Sequence, residues 1–250
     1  PRKIVESSGI LYTATYGDDT LHIIDGECHK RIKHDKLKKP RGVVIVSNYV
    51  YVTCYETNSV VVFDSIGNYI MSFGSDVLSH PRGIDYYEDE IFVTDVSNNR
   101  VCVFSMYGEY KRSFGNLSCP RGISISCDGL VYVADSGNHD IKVYTRSGEY
   151  LKTIGEGGIR LGEFHSPNDV YVDKKCLYVS EWYGRRIQVY DLADNSFRKV
   201  LCPENCGHLT MISVTSDGYV LVGDDDSNCY HTFCNTDIND TNILYPLDHP

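Results

Sequence analysis

Apolar runs of a few residues, rich in β-branched and aromatic side chains, alternate along the chain with breaks of Gly, Asn, Asp and Ser. One stretch reads Ile84-Asp85-Tyr86, a break at Glu88-Asp89-Glu90, then Ile91-Phe92-Val93-Thr94-Asp95. A loop through Asn98-Asn99-Arg100 follows, then Val101-Cys102-Val103-Phe104, a Tyr107-Gly108 turn and Tyr110–Gly115. Runs of this length and composition between turn residues read as strands. No stretch carries a helical period of useful length. The pattern predicts an all-β protein.

The strands come in groups of four. Pro-Arg-Gly opens the groups at Pro40, Pro81 and Pro120, Pro167-Asn168-Asp169 is a degenerate copy, and the chain begins Pro1-Arg2-Lys3. The prolines are 39, 41, 39 and 47 residues apart, a repeat length that marks a propeller or solenoid. A sixth group lacks the proline but keeps Ile212-Ser213-Val214, Tyr219–Asp224 and Tyr230–Phe233. The expected fold is one six-bladed β-propeller of four-stranded antiparallel blades, spanning about 1–39, 40–80, 81–119, 120–166, 167–206 and 207–250. Because the chain opens on an innermost strand, the outermost strand of blade six is expected at Asn242-Ile243-Leu244-Tyr245.

With these units in view, the pattern Pro-x-Gly-(Ile/Val), then Val-x-Asp-x-x-Asn-x-x-(Ile/Val)-x-Val-(Phe/Tyr), resembles the NHL repeat. Gly155-Glu156-Gly157-Gly158 through Leu161–Pro167 is similar to that family's longer inter-blade linker, and Asn138-His139 matches its Asn-His pair. The resemblance covers most of the chain and is strongest in blades two to five. It implies a rigid disc that holds a partner, as in the NHL domains at the C-termini of tripartite-motif (TRIM-NHL) ubiquitin ligases. It also implies single-stranded RNA binding as an alternative. A single Trp and no Trp-Asp dipeptide argue against the WD40 and kelch patterns.

Composition narrows the picture. A net charge of −10 disfavours indiscriminate nucleic-acid binding over the whole surface, though not one basic patch. Most of the ten cysteines fall where other blades carry Val, Ile or Ser, which suits small buried hydrophobes and a reducing, cytoplasmic setting. The sequons at Asn116 and Asn239 leave a secreted origin open. No apolar run is long enough to cross a bilayer, so no membrane partner is expected. The opening Pro suggests a domain cut from a longer chain or a processed form.

In a four-stranded meander, the loops entering strand one share a face with those joining strands two and three. Arg2, Arg41, Arg82 and Arg121 should therefore ring one mouth of the central channel, with Asn168 and Thr210 completing the circle. Further out lie Asn98, Asn99, Arg100, Asn138, His139, Trp182, Tyr183, Arg185 and Arg186, making blades two to five basic, while Asp18, Asp19, Asp225 and Asp226 make the closure acidic. A structural explanation stands beside the binding one. Asp95, Asp135, Glu181 and Asp224 end the second strands and are expected to reach the ring arginines as a repeated ion pair, a series that Cys54 and Thr15 interrupt.

Catalytic sets are thin. Asn168, Asp169 and Glu181 resemble part of a calcium-dependent lactonase pattern, and Cys202, Cys206, His208 and Cys229 or Cys234 could hold zinc at non-standard spacing. The chain is accordingly expected to be a non-enzymatic scaffold with no cofactor or small-molecule substrate. A protein or peptide partner would bind the arginine face, RNA being the alternative and a metal-dependent hydrolase or lyase the third reading.

Overall fold

The computed structural model describes residues 2–201, 206–215, 217–227 and 229–233. Blade one holds β1 (Lys3–Ser7), β2 (Ile10–Thr15), β3 (Thr20–Asp25) and β4 (Cys28–Ile32). Blade two holds β5 (Pro40–Val46), β6 (Tyr49–Cys54), β7 (Ser59–Asp64) and β8 (Tyr69–Phe73). Blade three holds β9 (Pro81–Tyr87), β10 (Glu90–Asp95), β11 (Arg100–Ser105) and β12 (Tyr110–Phe114). Blade four holds β13 (Pro120–Ile125), β14 (Val131–Asp135), β15 (Asp140–Tyr144) and β16 (Tyr150–Ile154). Blade five holds β17 (Pro167–Val172), β18 (Cys176–Glu181), β19 (Ile187–Asp191) and β20 (Phe197–Leu201), and blade six β21 (Leu209–Val214), β22 (Val220–Asp224) and β23 (Cys229–Phe233).

Each blade is an antiparallel meander in chain order, so the protein is a six-bladed β-propeller. The innermost strands pack in sequence, and β1 contacts both β5 and β21, which closes the ring. The segment expected to supply a fourth strand to blade six, Asn242–Tyr245, lies outside the described residues.

The core sits between blades. The third residue after each proline, or its counterpart in blade six, is buried: Ile4, Val43, Ile84, Ile123, Val170 and Ile212. Each meets the second strand of a neighbouring blade. Val43 and Val52 of blade two cluster with Tyr12 and Leu21 of blade one, and Ile123 and Val133 of blade four with Phe92 and Val103 of blade three. Second strands are covered on both faces, which explains near-continuous apolar runs such as Val50-Tyr51-Val52.

Close approach between blades accounts for the glycine of Pro-Arg-Gly. A Cβ on Gly42 would lie 2.4 Å from the Arg82 carbonyl, and one on Gly83 2.4 Å from the Arg121 carbonyl. Those carbonyls accept hydrogen bonds from the Thr53 and Thr94 hydroxyls at 2.5 and 2.6 Å, so glycine lets one blade's backbone reach the next.

The two-to-three loops supply a second tie. Asp19, Asn58, Asn99 and His139 all adopt left-handed backbone with φ of 53 to 60°. Each side chain accepts the backbone N–H of the residue before the next blade's proline, namely Lys39, His80, Cys119 and Ser166, at 2.8 to 3.0 Å. Short polar side chains tolerate this backbone and offer an acceptor there.

Among the described residues, Cys54, Cys102 and Cys176 are buried in strands as expected, whereas Cys28 and Cys229, on the outermost described strands of their blades, and Cys127, in a turn, are exposed. No described helix is long and apolar enough to cross a membrane.

Candidate functional site: an arginine-lined channel mouth

The residues after the entry prolines converge as the repeat geometry requires. Arg2, Arg41, Arg82, Arg121, Asn168 and Thr210 line one funnel at the channel mouth, which holds about 450 Å³ of space with its open end included. Lys3 and Asp169 sit beneath them on the innermost strands, joined at 2.6 Å.

The expected ion pairs between these arginines and the second-strand acids do not form. Asp95 accepts from the Ser79 N–H at 2.6 Å, Asn98 at 2.8 Å and Arg100 at 2.9 Å. Asp135 accepts from the Ser118 N–H and Asn138, and Glu181 from the His165 N–H, Arg186 and Gln188. Asp224 accepts from the Gly207 N–H and pairs with His231. The acids are fully buried and tie down their own blade's entry and two-to-three loops, so they face away from the funnel.

The ring is consequently short of negative charge. Arg2 is neutralised by Asp225 at 3.0 Å, while Arg121 donates to the Asn168 amide oxygen at 2.8 Å, which carries no charge. Arg41 and Arg82 have no carboxylate within pairing distance among the described residues, and the Nε atoms of Arg41, Arg82 and Arg121 are buried without a hydrogen-bond partner there. Burial, followed by the like charges of Arg82 and Arg2, pushes Arg41 down to about 9. Burial, followed by Arg121, pushes Arg82 down to about 10. At neutral pH both remain charged, held against each other in a poorly solvated site.

Aromatic rings supply what counter-charge there is. The Arg41 guanidinium lies 4.1 Å from the Tyr16 ring centre and 5.0 Å from Tyr55, and Arg82 lies 5.9 Å from Tyr55. Trp182 has Arg2 at 5.8 Å and Arg121 at 5.9 Å, and its other contact is His208, stacked at 4.7 Å. Tyr16, Tyr55 and Trp182 are each the first residue after a second strand, a position directly above the ring. Sequence reasoning singled out Trp182 and missed the two tyrosines, although aligning the blades places all three in one column.

The remaining site candidates divide. Arg100 and Arg186 are structural: Arg186 is buried, pairs with Glu181 at 2.6 Å and donates to the Ile159, Arg160 and Glu163 carbonyls. Asn98 and Asn138 hold the buried aspartates, and Asn99 and His139 hold the next blade's entry loop. Tyr183 is 60% exposed beside His165, and Arg185 is exposed with left-handed backbone at the rim. The acids expected to make the closure negative are largely matched locally, Asp18 with Arg31, Asp19 with Lys38 and Asp226 with His208.

Metal chemistry finds little support here. Asn168, Asp169 and Glu181 turn to separate partners, and no group of three or more His, Cys, Asp or Glu side chains converges among the described residues. Cys202 and Cys234, named as zinc ligands, lie outside the described residues.

Comparison with known proteins agrees with this architecture. The NHL repeat model matches residues 117–144, which run from the blade-four entry loop to the end of β15. No curated protein sequence matches the chain. Among solved structures, a streptogramin B lyase superposes with a TM-score of 0.73 at 14% identity, over 94% of this chain and 82% of that one. A nidogen/laminin complex gives 0.74 at 19% identity, over 83% and 82%. The catalytically inactive virginiamycin B lyase from Staphylococcus aureus with quinupristin gives 0.71 at 15% identity, over 92% and 83%. At these identities the likeness is one of fold.

Proposed function

We propose that the chain is a non-catalytic interaction module that takes a protein partner on the face bearing the arginine funnel. The observation that carries this reading is the set of guanidiniums left, among the described residues, without carboxylates beneath a half-buried collar of Tyr16, Tyr55 and Trp182. Arginine beside aromatic rings is the chemistry of interface hot spots, where each contributes far more than a rim charge. A structural neighbour that occurs in a nidogen/laminin complex supports a partner-holding role for this fold. The lyase neighbours support an enzyme only by analogy of fold, which does not carry function. Within this reading, service as the substrate-recognition part of a ubiquitin ligase rests on the TRIM-NHL resemblance alone.

RNA is the second reading, because the same aromatic and arginine groups can stack on bases. Parallel selection from a random peptide library and a random single-stranded RNA pool, each at physiological salt, separates the two. Enrichment of a peptide motif by the wild-type chain, lost in Arg82→Glu/Arg121→Glu at unchanged melting temperature, is the expected result. Enrichment of an RNA motif with no peptide motif would replace the first reading with the second.

A further inference from the structure

Resting on that reading, we propose that the funnel is a receptor for a phosphate monoester dianion carried on a side chain of the partner. Of the five cations lining it, Arg2 and Lys3 are matched by Asp225 and Asp169, which leaves Arg41, Arg82 and Arg121 without a carboxylate among the described residues. A carboxylate would bring one negative charge to three guanidiniums. A phosphoryl group brings nearly two, with three terminal oxygens as acceptors. Arginine is also the side chain whose planar fork best matches phosphate oxygens.

The three guanidiniums are already fixed in place. Arg41 is held between Tyr16 and Tyr55, Arg82 borders Tyr55, and Arg121 is tied to Asn168 at 2.8 Å and borders Trp182. A site ordered before the ligand arrives loses little side-chain freedom on binding. The Nε atoms of these arginines are buried without a partner among the described residues, so the ends of the guanidiniums are the groups left to meet a ligand.

Shape selects the monoester. Lys3 and Asp169 lie beneath the ring, and a group joined to its carrier by a single ester bond enters such a mouth end-on. A phosphodiester within a strand brings a second stretch of chain to the same mouth.

The test is calorimetric titration of the chain, in chloride buffer, with four probes: inorganic phosphate and the blocked tripeptides Gly-phosphoSer-Gly, Gly-Ser-Gly and Gly-Glu-Gly. The phosphopeptide should bind at least tenfold more tightly than the Glu peptide, with no detectable Ser-peptide binding. Arg82→Gln and Arg41→Gln should each weaken it at least tenfold while leaving the melting temperature unchanged or raised. Arg82→Lys, which keeps the charge without the fork, should fall between. Equal affinity for phosphopeptide and Glu peptide, or an affinity indifferent to Arg82→Gln, would overturn the proposal, and the scaffold reading would then stand on the peptide selection alone. Inorganic phosphate binding more tightly than the phosphopeptide would overturn the assignment to a partner's side chain and make the site one for soluble phosphate.

Discussion

Replacing Arg82 with glutamine should stabilise the protein. Its guanidinium is pushed down to about 10, by burial and by the nearby charge of Arg121. That is roughly two to three pH units below an ordinary arginine, and each unit corresponds to about 1.4 kcal/mol. Holding the charge at neutral pH therefore costs about 3 kcal/mol. Against this stand the contact with Tyr55 at 5.9 Å, which contributes about 0.5–1 kcal/mol, and the packing of the aliphatic stem. Solvent at the open mouth screens part of the repulsion. The net expectation is a gain of about 1–2 kcal/mol, unusual for a substitution at a half-buried site. Urea unfolding at pH 7 in phosphate-free buffer measures it, read as a shift in midpoint at constant slope. A loss greater than about 1 kcal/mol would mean that Arg82 has an anionic partner in the free protein, and the unneutralised ring would be refuted.

Arg186 should behave in the opposite way. Arg186→Met leaves Glu181 buried without its cation and should lower stability by about 3–5 kcal/mol in the same assay. Gly83→Ala drives a Cβ against the Arg121 carbonyl and should cost about 1–3 kcal/mol, while Gly17→Ala, with nothing within 4 Å, should stay within about 0.5 kcal/mol by thermal melt. Asp85, which accepts the Tyr86 and Ile125 N–H groups, is pushed up by burial to about 6. A carboxyl whose folded pKa lies above its unfolded value contributes stability that is complete below about pH 4 and lost as the pH rises through about 6. The stability difference between wild type and Asp85→Asn should thus shift against the wild type between about pH 4 and 6 and level off above. A difference that is flat across that window in a pH series of denaturation curves would contradict the assignment.

The evenly spaced prolines made the propeller legible, and with it the convergence of Arg2, Arg41, Arg82, Arg121, Asn168 and Thr210. Chain topology alone brings equivalent positions of a closed ring together. Side-chain direction was less accessible. Asp95 and Arg82 look like natural partners by proximity along the repeat, yet Asp95 reaches a backbone amide of its own entry loop, and an amide donor leaves no trace in residue identity. For the same reason Asn99 and His139 read as surface groups, although the left-handed backbone turns their side chains onto the following blade. Tyr16 and Tyr55 were passed over because their column also holds Val96, Ser136 and Asp225, which hides it as a chemical pattern.

The ties made by Asp19, Asn58, Asn99 and His139 all run one way, from an earlier blade to the entry strand of a later one. During synthesis the acceptor is therefore in place before the segment it receives has left the ribosome. Through blade five, assembly can proceed as a queue in which each arriving blade finds its docking point ready and waits for nothing downstream. The seam between β21 and β1 cannot follow this order, because there the last blade must find the first. The step that turns an open crescent into a ring is thus one that local sequence cannot hurry.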